Sequence, residues 1–222
     1  MTSAIIVAAG SSRRMGFNKL LAELAGAPVL LRTLEEFQAC GDIDEIIVVT
    51  GDDVASEIQA WAQTHPLSKL AAIVPGGAER HFSVWNGLQQ CSPQSDIIAV
   101  HDGARPLINP AQISRCIHAA RSQRAAACAR PMTETIKRTE PDGRITESID
   151  RTGVWVMETP QVFARDLLTQ AYEAVIRDGA LVTDEVSAVQ HVGAPVFVVE
   201  NTTPNPKITF PADLVQAERF LP

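Results

Sequence analysis

The sequence lacks paired cysteines, an excess of positive charge and long apolar runs, and each absence excludes a class of protein. Its four cysteines lie far apart with no C-x-x-C pair, which argues against a zinc ribbon or a disulfide framework and favours a reducing, cytoplasmic location. The formal net charge of -7 does not suit a surface that tracks along nucleic acid. The apolar run at residues 4–9 is too short for a signal-peptide core or a membrane span, and we interpret it as a first strand.

Apolar runs and helical segments alternate along most of the chain. With 222 residues and 45% hydrophobic content, one substantial core can be buried, so we expect a single domain over residues 1–222. The alternation predicts an α/β fold: a Rossmann-like, mostly parallel twisted sheet with helices on both faces and ligands at the carboxyl ends of the strands. The predicted strands, most of them buried on both faces, are residues 4–8, 45–50, 71–74, 97–100 and 125–129, and the predicted helices are residues 28–39, 54–63, 81–90 and 110–122.

The pattern changes after Pro131. Two short extended stretches, residues 135–138 and 145–149, flank the turn sequence EPDG, which predicts a β-hairpin. Because these stretches are polar, we expect an arm at about residues 133–153 that projects from the core and needs a partner surface. The remaining predicted elements are a strand at residues 154–157, a helix at about 164–177, a short helix after Thr183, a strand at 196–199 and a helix at 211–220.

The first strand leads directly into residues 8–19, AAGSSRRMGFNK, which carry three positive charges and no acid in an acidic protein. Small residues let backbone N–H groups approach phosphate oxygens, while arginine and lysine supply charge, so this segment suits a triphosphate. Five residues separate Gly10 from Gly16 and no Gly-Lys-Ser/Thr follows, which excludes a P-loop, and the G-x-G-x-x-G pattern is also absent. The simpler alternative is an exposed basic turn.

The predicted strand at residues 97–100 ends in HDGARP, at residues 101–106. This position puts the Asp102 carboxylate and the Arg105 guanidinium at the sheet edge where ligands bind in α/β folds. An ion pair between the two across the turn is the alternative, and both interpretations can hold.

The loop at residues 8–19 resembles that of magnesium-dependent nucleotidyltransferases with an A-A-G-x-x-x-R-M-G sequence followed by lysine. Sugar-nucleotide pyrophosphorylases, molybdenum-cofactor guanylyltransferases and methylerythritol-phosphate cytidylyltransferases share it. Further motifs make the whole chain resemble the 2-C-methyl-D-erythritol 4-phosphate cytidylyltransferase family. They are GGAERHFSV at 76–84, ETIKR at 134–138, DRTGVW at 150–155, TPQ at 159–161, TDE at 183–185 and NPKIT at 205–209.

The resemblance implies a role for residues in two substrate sites. Arg14 and Lys19 match the pair that neutralises the triphosphate of CTP and stabilises charge on the α-phosphate. Arg151 and Lys207 match the residues that grip the phosphate of the acceptor. The family's contacts to the cytidine nucleotide match Ala8, Ala9, Gly10, Gly77 and Ser83, and its positions that hold or flank the acceptor match Asp102, Arg105, Thr135, Thr159, Arg151 and Lys207.

The resemblance also implies partners and a cofactor. In this family the hairpin arm crosses to the other subunit, so Thr135 and Arg151 would serve the partner's site in a homodimer. A phosphomonoester is already a nucleophile at neutral pH, so catalysis requires positioning and positive charge more than a general base. We expect Mg²⁺, held mainly by the phosphates of CTP and by water.

One departure from the family pattern is a shorter loop. Only three residues separate Met15 from Lys19, a form nearer to the molybdenum-cofactor enzymes. The alternatives are therefore a ribitol-5-phosphate cytidylyltransferase, a molybdenum-cofactor or sugar nucleotidyltransferase, and a nucleotide-binding protein without catalysis.

Two simpler hypotheses concern individual residues outside these motifs' proposed roles. Thr183 would cap a helix with Asp184 and Glu185 in its first turn. Packing or hydrogen bonding would be the role of His81, His101, His118 and His191, since no two of them share a metal-ligand spacing.

Overall fold

The computed structural model describes residues 1–10 and 16–221. Strands and helices alternate through most of these residues, as the sequence pattern predicts. In chain order the elements are β1 (Thr2–Val7), β2 (Glu23–Leu24), β3 (Ala27–Pro28), α1 (Val29–Ala39), β4 (Glu45–Thr50), α2 (Asp52–Thr64), β5 (Leu70–Pro75), α3 (Arg80–Gln90), β6 (Ile97–Asp102), α4 (Pro110–Gln123), β7 (Ala125–Pro131), β8 (Ile136–Thr139), β9 (Ile145–Ile149), β10 (Trp155–Ala164), α5 (Arg165–Asp178), α6 (Glu185–His191), β11 (Phe197–Glu200) and α7 (Pro211–Glu218).

Seven strands form the central sheet in the order β11-β7-β10-β6-β1-β4-β5. All neighbouring pairs are parallel except those of β10, which runs antiparallel to both β6 and β7. The predicted α/β fold is confirmed. The carboxyl ends of β1, β4 and β6 therefore meet at one edge of the sheet, where a ligand site is expected in this architecture.

Helices cover both faces of the sheet. Helices α1, α2, α4 and α7 contribute buried residues to one apolar cluster, and α3, α5 and α6 contribute to the other. The neighbours Ile5 and Ile6 belong to opposite clusters because successive strand side chains point to opposite faces. Each such side chain contributes about 1.5–3 kcal/mol on burial. Strands β4 and β6 are buried on both faces, as the sequence pattern predicts. Strand β5 is not, because it lies at the sheet edge, where it is half-buried.

Local sequence signals account for several helix ends. Helix α4 begins with Pro110 at its first turn, and Asn109 caps it by accepting a hydrogen bond from the Gln112 backbone N–H. Helix α5 ends at Gly179, whose φ of 61° lies in the left-handed region that glycine adopts without strain. The predicted cap of α6 was wrong. Asp184, rather than Thr183, caps this helix by accepting from the Ser187 N–H.

The predicted hairpin is present as β8 and β9, which pair antiparallel with Ile136 opposite Ile149. We call the segment from 133 to 153 the arm. Its two strands are exposed except for these two half-buried isoleucines, so the arm is stabilised mainly by its own ladder and by side-chain pairs such as Arg138 with Glu147. Among the described residues, no helix is long and apolar enough to cross a membrane.

Candidate functional site

A cavity of about 370 Å³ opens at the carboxyl ends of the parallel strands; we call it the first cavity. Its wall comes from the loop after β1, the loop before α3, the end of β6 and the segment before α7. The fold thus brings together residues that are far apart in the chain. The sequence-predicted residues that line it are Ala8, Ala9, Gly10, Lys19, Gly77, Ser83, Asp102 and Lys207.

Close backbone packing shapes one side of the first cavity. A Cβ atom on Gly76 would lie 2.4 Å from the Cβ of Ala9, so only glycine permits this approach. The Gly77 N–H donates to the Ser83 hydroxyl at 3.0 Å, and that hydroxyl donates to the Glu79 carbonyl at 3.2 Å. Ser83 therefore holds the loop at residues 77–79 against the start of α3.

The segment at residues 205–209 is fastened to the loop after β6. The Ile208 N–H donates to the Ala104 carbonyl at 2.8 Å, and the Arg105 guanidinium donates to the Asn205 carbonyl at 2.8 Å. The Lys19 ammonium donates to the Ile208 carbonyl at 2.7 Å. These bonds place Lys19 at the cavity in spite of the short loop that precedes it.

Asp102 is the electrostatic centre of this arrangement. The carboxylate lies 2.9 Å from the Lys207 ammonium, 3.4 Å from the Arg80 guanidinium and 3.5 Å from that of Arg105. Burial alone would raise the pKa of Asp102, but the charges of Lys207, Arg80 and Arg105 outweigh it and hold that pKa well below its usual range. The ion pair with Arg105 considered from the sequence exists, yet Lys207 is the closest partner.

Thr159 lies behind Asp102 rather than on the cavity wall. Its hydroxyl accepts from the Asp102 N–H at 3.1 Å and donates to Nδ1 of His101 at 3.0 Å, while Nε2 of His101 donates to the Arg105 carbonyl. Burial is the main cause that lowers the pKa of His101 to about 3, so the ring is neutral and fixes this arrangement. His101 therefore serves hydrogen bonding, as the sequence analysis proposed.

A second cavity of about 380 Å³ lies beside the first, and Lys207 lines both. Arg105, Arg130 and Glu158 also line it. Asn205 is 2% exposed and donates to Glu158 and to the Thr159 carbonyl, but its Oδ1 accepts no hydrogen bond from the described residues. An unpaired buried acceptor at a cavity wall suits a ligand hydroxyl.

Sequence analysis missed several of these residues. Arg80 and Asn205 lie inside the quoted motifs at 76–84 and 205–209, so motif membership was the available signal. Arg130 and Glu158 lie on β7 and β10, and no motif marks their approach within 3.7 Å, because only the antiparallel pairing of these strands brings them together.

Two of the predicted residues that the structure describes lie elsewhere. Thr135 and Arg151 belong to the arm, and neither is among the described residues that line the two cavities. The Arg151 guanidinium donates to the Thr133 carbonyl within the same arm. Arg14 lies outside the described residues.

The described residues offer little for a metal cage. No group of three or more His, Cys, Asp or Glu side chains among them could hold a metal ion, and Glu79 and Asp102 supply the carboxylates at the first cavity. Such a wall fits a hard cation that takes most of its oxygen ligands from phosphates and water.

A mostly parallel sheet whose first strand is followed by a small-residue loop, with lysine and arginine gathered around one carboxylate, is typical of a nucleotidyltransferase. The comparisons with known proteins specify which one. The family model described as IspD, 2-C-methyl-D-erythritol 4-phosphate cytidylyltransferase, matches residues 2–222, and the chain belongs to this family.

Individual relatives agree with this assignment. The chain is 42% identical over 221 residues to a 2-C-methyl-D-erythritol 4-phosphate cytidylyltransferase of Symbiobacterium thermophilum, a match that covers 99% of this chain and 92% of the relative. It is 41% identical to one of Caldanaerobacter subterraneus, covering 99% and 98%. The solved 4-diphosphocytidyl-2C-methyl-D-erythritol synthase of Anaerococcus prevotii superposes with a TM-score of 0.87 at 30% identity, covering 99% of this chain and 95% of that one.

Proposed function

We propose that this chain transfers a cytidylyl group from CTP to 2-C-methyl-D-erythritol 4-phosphate, giving 4-diphosphocytidyl-2-C-methyl-D-erythritol and pyrophosphate. One observation carries the proposal: Lys207, held 2.9 Å from Asp102, lines two adjoining cavities. A reaction that joins two phosphorylated substrates needs two such cavities and a cation between them. Membership of the cytidylyltransferase family supports the same reaction.

The first cavity is the candidate CTP site. Ala8, Ala9, Gly10, Gly77 and Ser83 line it, and such small residues would let a planar base contact peptide groups. Lys19 also lines this cavity, where it would neutralise the triphosphate together with Arg14. The role of Arg14 rests on the sequence motif.

The second cavity is the candidate acceptor site. Arg105 and Lys207 supply cations for a phosphate, while Glu158 and the free Oδ1 of Asn205 supply acceptors for hydroxyl groups. Asp102 would orient Lys207 between the substrates, and Thr159 would hold the Asp102 backbone in place.

The arm would complete the acceptor site of a partner subunit. Thr135 and Arg151 lie on it, and its exposed strands offer a surface for a second copy of the chain. We therefore propose a homodimer in which each arm supplies these two residues to the other subunit. We also propose that residues 1–222 form one domain from which the arm at 133–153 projects, and that the protein acts in a reducing cytoplasm, where its four buried free thiols stay reduced.

The chemistry needs charge and alignment. A phosphate oxygen of the acceptor attacks the α-phosphorus of CTP, a new P–O bond forms, the bond to the β-phosphate bridging oxygen breaks, and pyrophosphate leaves. The chain's cations hold the two anions in line and stabilise the charge that develops on the α-phosphate oxygens. The acceptor phosphate carries its own nucleophilic oxygen, so no side chain has to remove a proton.

Mg²⁺ fits this site as a cation bound mainly through CTP. Asp102 and Glu79 are the carboxylates at the first cavity that could contact it directly or through water. When bound, the ion would neutralise charge on the triphosphate and on the departing pyrophosphate.

The test is pyrophosphate release by the purified protein with Mg²⁺ and CTP, offering methylerythritol 4-phosphate and ribitol 5-phosphate in parallel, with GTP as the control nucleotide. We expect turnover with CTP and methylerythritol 4-phosphate. Activity with ribitol 5-phosphate alone would keep the mechanism and change the substrate. Preference for GTP, or CTP binding without pyrophosphate release, would contradict the proposal.

A further inference from the structure

Glu185, the first residue of α6, is a charged side chain with no exposed surface. Both of its carboxylate oxygens accept hydrogen bonds from the Arg80 guanidinium, one of them at 3.1 Å. The Tyr172 hydroxyl donates to the same carboxylate at 2.9 Å. Burying a carboxylate in this way is costly unless it is paired, and such a pair contributes little net stability compared with an apolar one. Stability alone is therefore a weak explanation for Glu185.

Arg80 connects this buried carboxylate with the first cavity. It stands at the start of α3 and lines the cavity wall, and the same guanidinium nitrogen that donates to Glu185 at 3.1 Å approaches Asp102 to 3.4 Å. Burial alone would lower the pKa of Arg80, but Glu185 and then Asp102 outweigh it and raise that pKa. The charges thus alternate along a row of four side chains: Glu185, Arg80, Asp102 and Lys207.

The start of α6 is fixed from a second direction. Gln161 on β10 donates to the Asp184 carboxylate at 3.0 Å and accepts from the Val186 N–H at 3.1 Å. Because Asp184 also caps α6, this glutamine attaches the helix to the strand that carries Thr159. Glu185 therefore holds Arg80 from a rigid position.

We propose that Glu185 is a positioning residue for cytidylyl transfer. It holds Arg80 at the cavity wall and neutralises its charge, so that Lys207 remains the closest partner of Asp102. Without that charge, Arg80 has Asp102 as its nearest anion and competes with Lys207 for it. The inference rests on the proposed function, and it adds a residue that lines neither cavity and acts through Arg80.

Glu185→Gln tests this with little change of shape, since the amide oxygen can still accept from Tyr172. We expect kcat to fall about tenfold, because Lys207 loses its place beside Asp102. The affinity for CTP, measured by calorimetry, should stay equal to that of the wild type or increase, because the released Arg80 charge faces the anionic triphosphate. A merely structural role would weaken CTP binding together with turnover.

Matched variants separate charge from packing. Glu173→Gln removes an exposed carboxylate from α5, and Tyr172→Phe removes a hydrogen bond from Glu185 without removing its charge. Both should keep kcat within about twofold, and Glu185→Asp should retain more activity than Glu185→Gln. The double variant Arg80→Met with Glu185→Gln should be no slower than Glu185→Gln alone, because the competing cation is gone.

Three results would overturn the proposal: an unchanged kcat in Glu185→Gln, a parallel loss of CTP affinity, or a double variant with additive losses. If Glu185→Gln does not fold, the turnover of Glu185→Asp compared with that of Tyr172→Phe tests the proposal instead. A Glu185→Asp variant as active as the wild type would contradict it, because the shorter side chain should weaken the ion pair with Arg80. A wild-type protein that turns over neither acceptor contradicts the proposed function instead. In that case the CTP affinity of Glu185→Gln still tests the release of Arg80.

Discussion

The first cavity and the arm carry two of the predicted catalytic cations in opposite surroundings. At the cavity, Lys207 lies 2.9 Å from a carboxylate that is 7% exposed, on a segment bonded to the loop after β6. On the arm, Arg151 is exposed and donates to a carbonyl of its own hairpin. The core thus holds one cation beside a buried carboxylate, whereas the other lies on an exposed arm and, in the proposed homodimer, would act in the partner's site. Preorganised charge costs no reorganisation during the reaction. Removing Lys207 and removing Arg151 should therefore lower turnover by different amounts.

The largest effect should follow from removing the fixed cation. We expect Lys207→Ala to fold normally and to lose about a hundredfold in turnover, on the order of 3 kcal/mol, because a preorganised cation between two anions is lost. Pyrophosphate release measures this. Lys69→Ala is the matched control, since Lys69 lies beside the amino end of β5, away from the site, and should keep nearly full turnover. Near-wild-type rates in Lys207→Ala would remove the central residue from the proposed mechanism.

Removing the arm cation should have a smaller effect, about tenfold, because an arm that meets water is more strongly screened. The decisive experiment mixes the Arg151→Ala and Lys207→Ala variants, lets their subunits exchange and then measures turnover. If the arm serves the partner, half of the dimers pair one intact core with one intact arm, and about a quarter of wild-type activity returns. Activity equal to the mean of the two separate variants would mean that each arm serves its own core, or none.

The last effect concerns the core behind Asp102 and appears as a pH dependence of stability rather than as a loss of turnover. Burial lowers the pKa of His101 to about 3 from an unfolded value of 6.5, so the unfolded state binds more protons between these values. Stability is therefore fully present above about pH 6.5 and falls as the pH decreases, by at most about 1.4 kcal/mol per unit. His101→Asn should flatten this slope.

Urea unfolding between about pH 6.5 and 5 measures this slope of stability against pH. The range is suitable because most carboxylates of the unfolded chain titrate lower, near pH 4. His118→Asn serves as the control, since His118 is an exposed histidine on α4. Equal slopes for the wild type and His101→Asn would show that burial does not keep His101 neutral.

The fold was largely predictable because its signals are local. Runs such as residues 45–50 and 97–100 are apolar at nearly every position, as strands buried on both faces must be, and each is followed by a segment of helical period. The antiparallel insertion of β10 between β6 and β7 carries no comparable signal, because strand direction depends on pairing between distant segments. The cap of α6 was misassigned by one residue because Thr183 and Asp184 are both good caps.

The residues around the first cavity likewise include some that the sequence could identify and some that it could not. Ala8, Gly77 and Lys207 could be named because each matches a motif of the family that the chain resembles, and for Ala8 the composition of its loop also suits a phosphate. Arg80 and Glu185 could not be assigned a joint role from the sequence, since 105 positions separate them and only the packing of α3 beside α5 and α6 joins them.

By itself, the sequence determined the alternation of strands and helices and the family, because these depend on residue type, period and order along the chain. The tertiary structure alone decided which charges meet. It placed Asp102 among three cations, gave Lys207 two cavities and buried Glu185 behind Arg80. The physical reason is that electrostatic interactions depend on distance and burial, and both are set only when segments separated by a hundred residues pack at the same edge of the sheet.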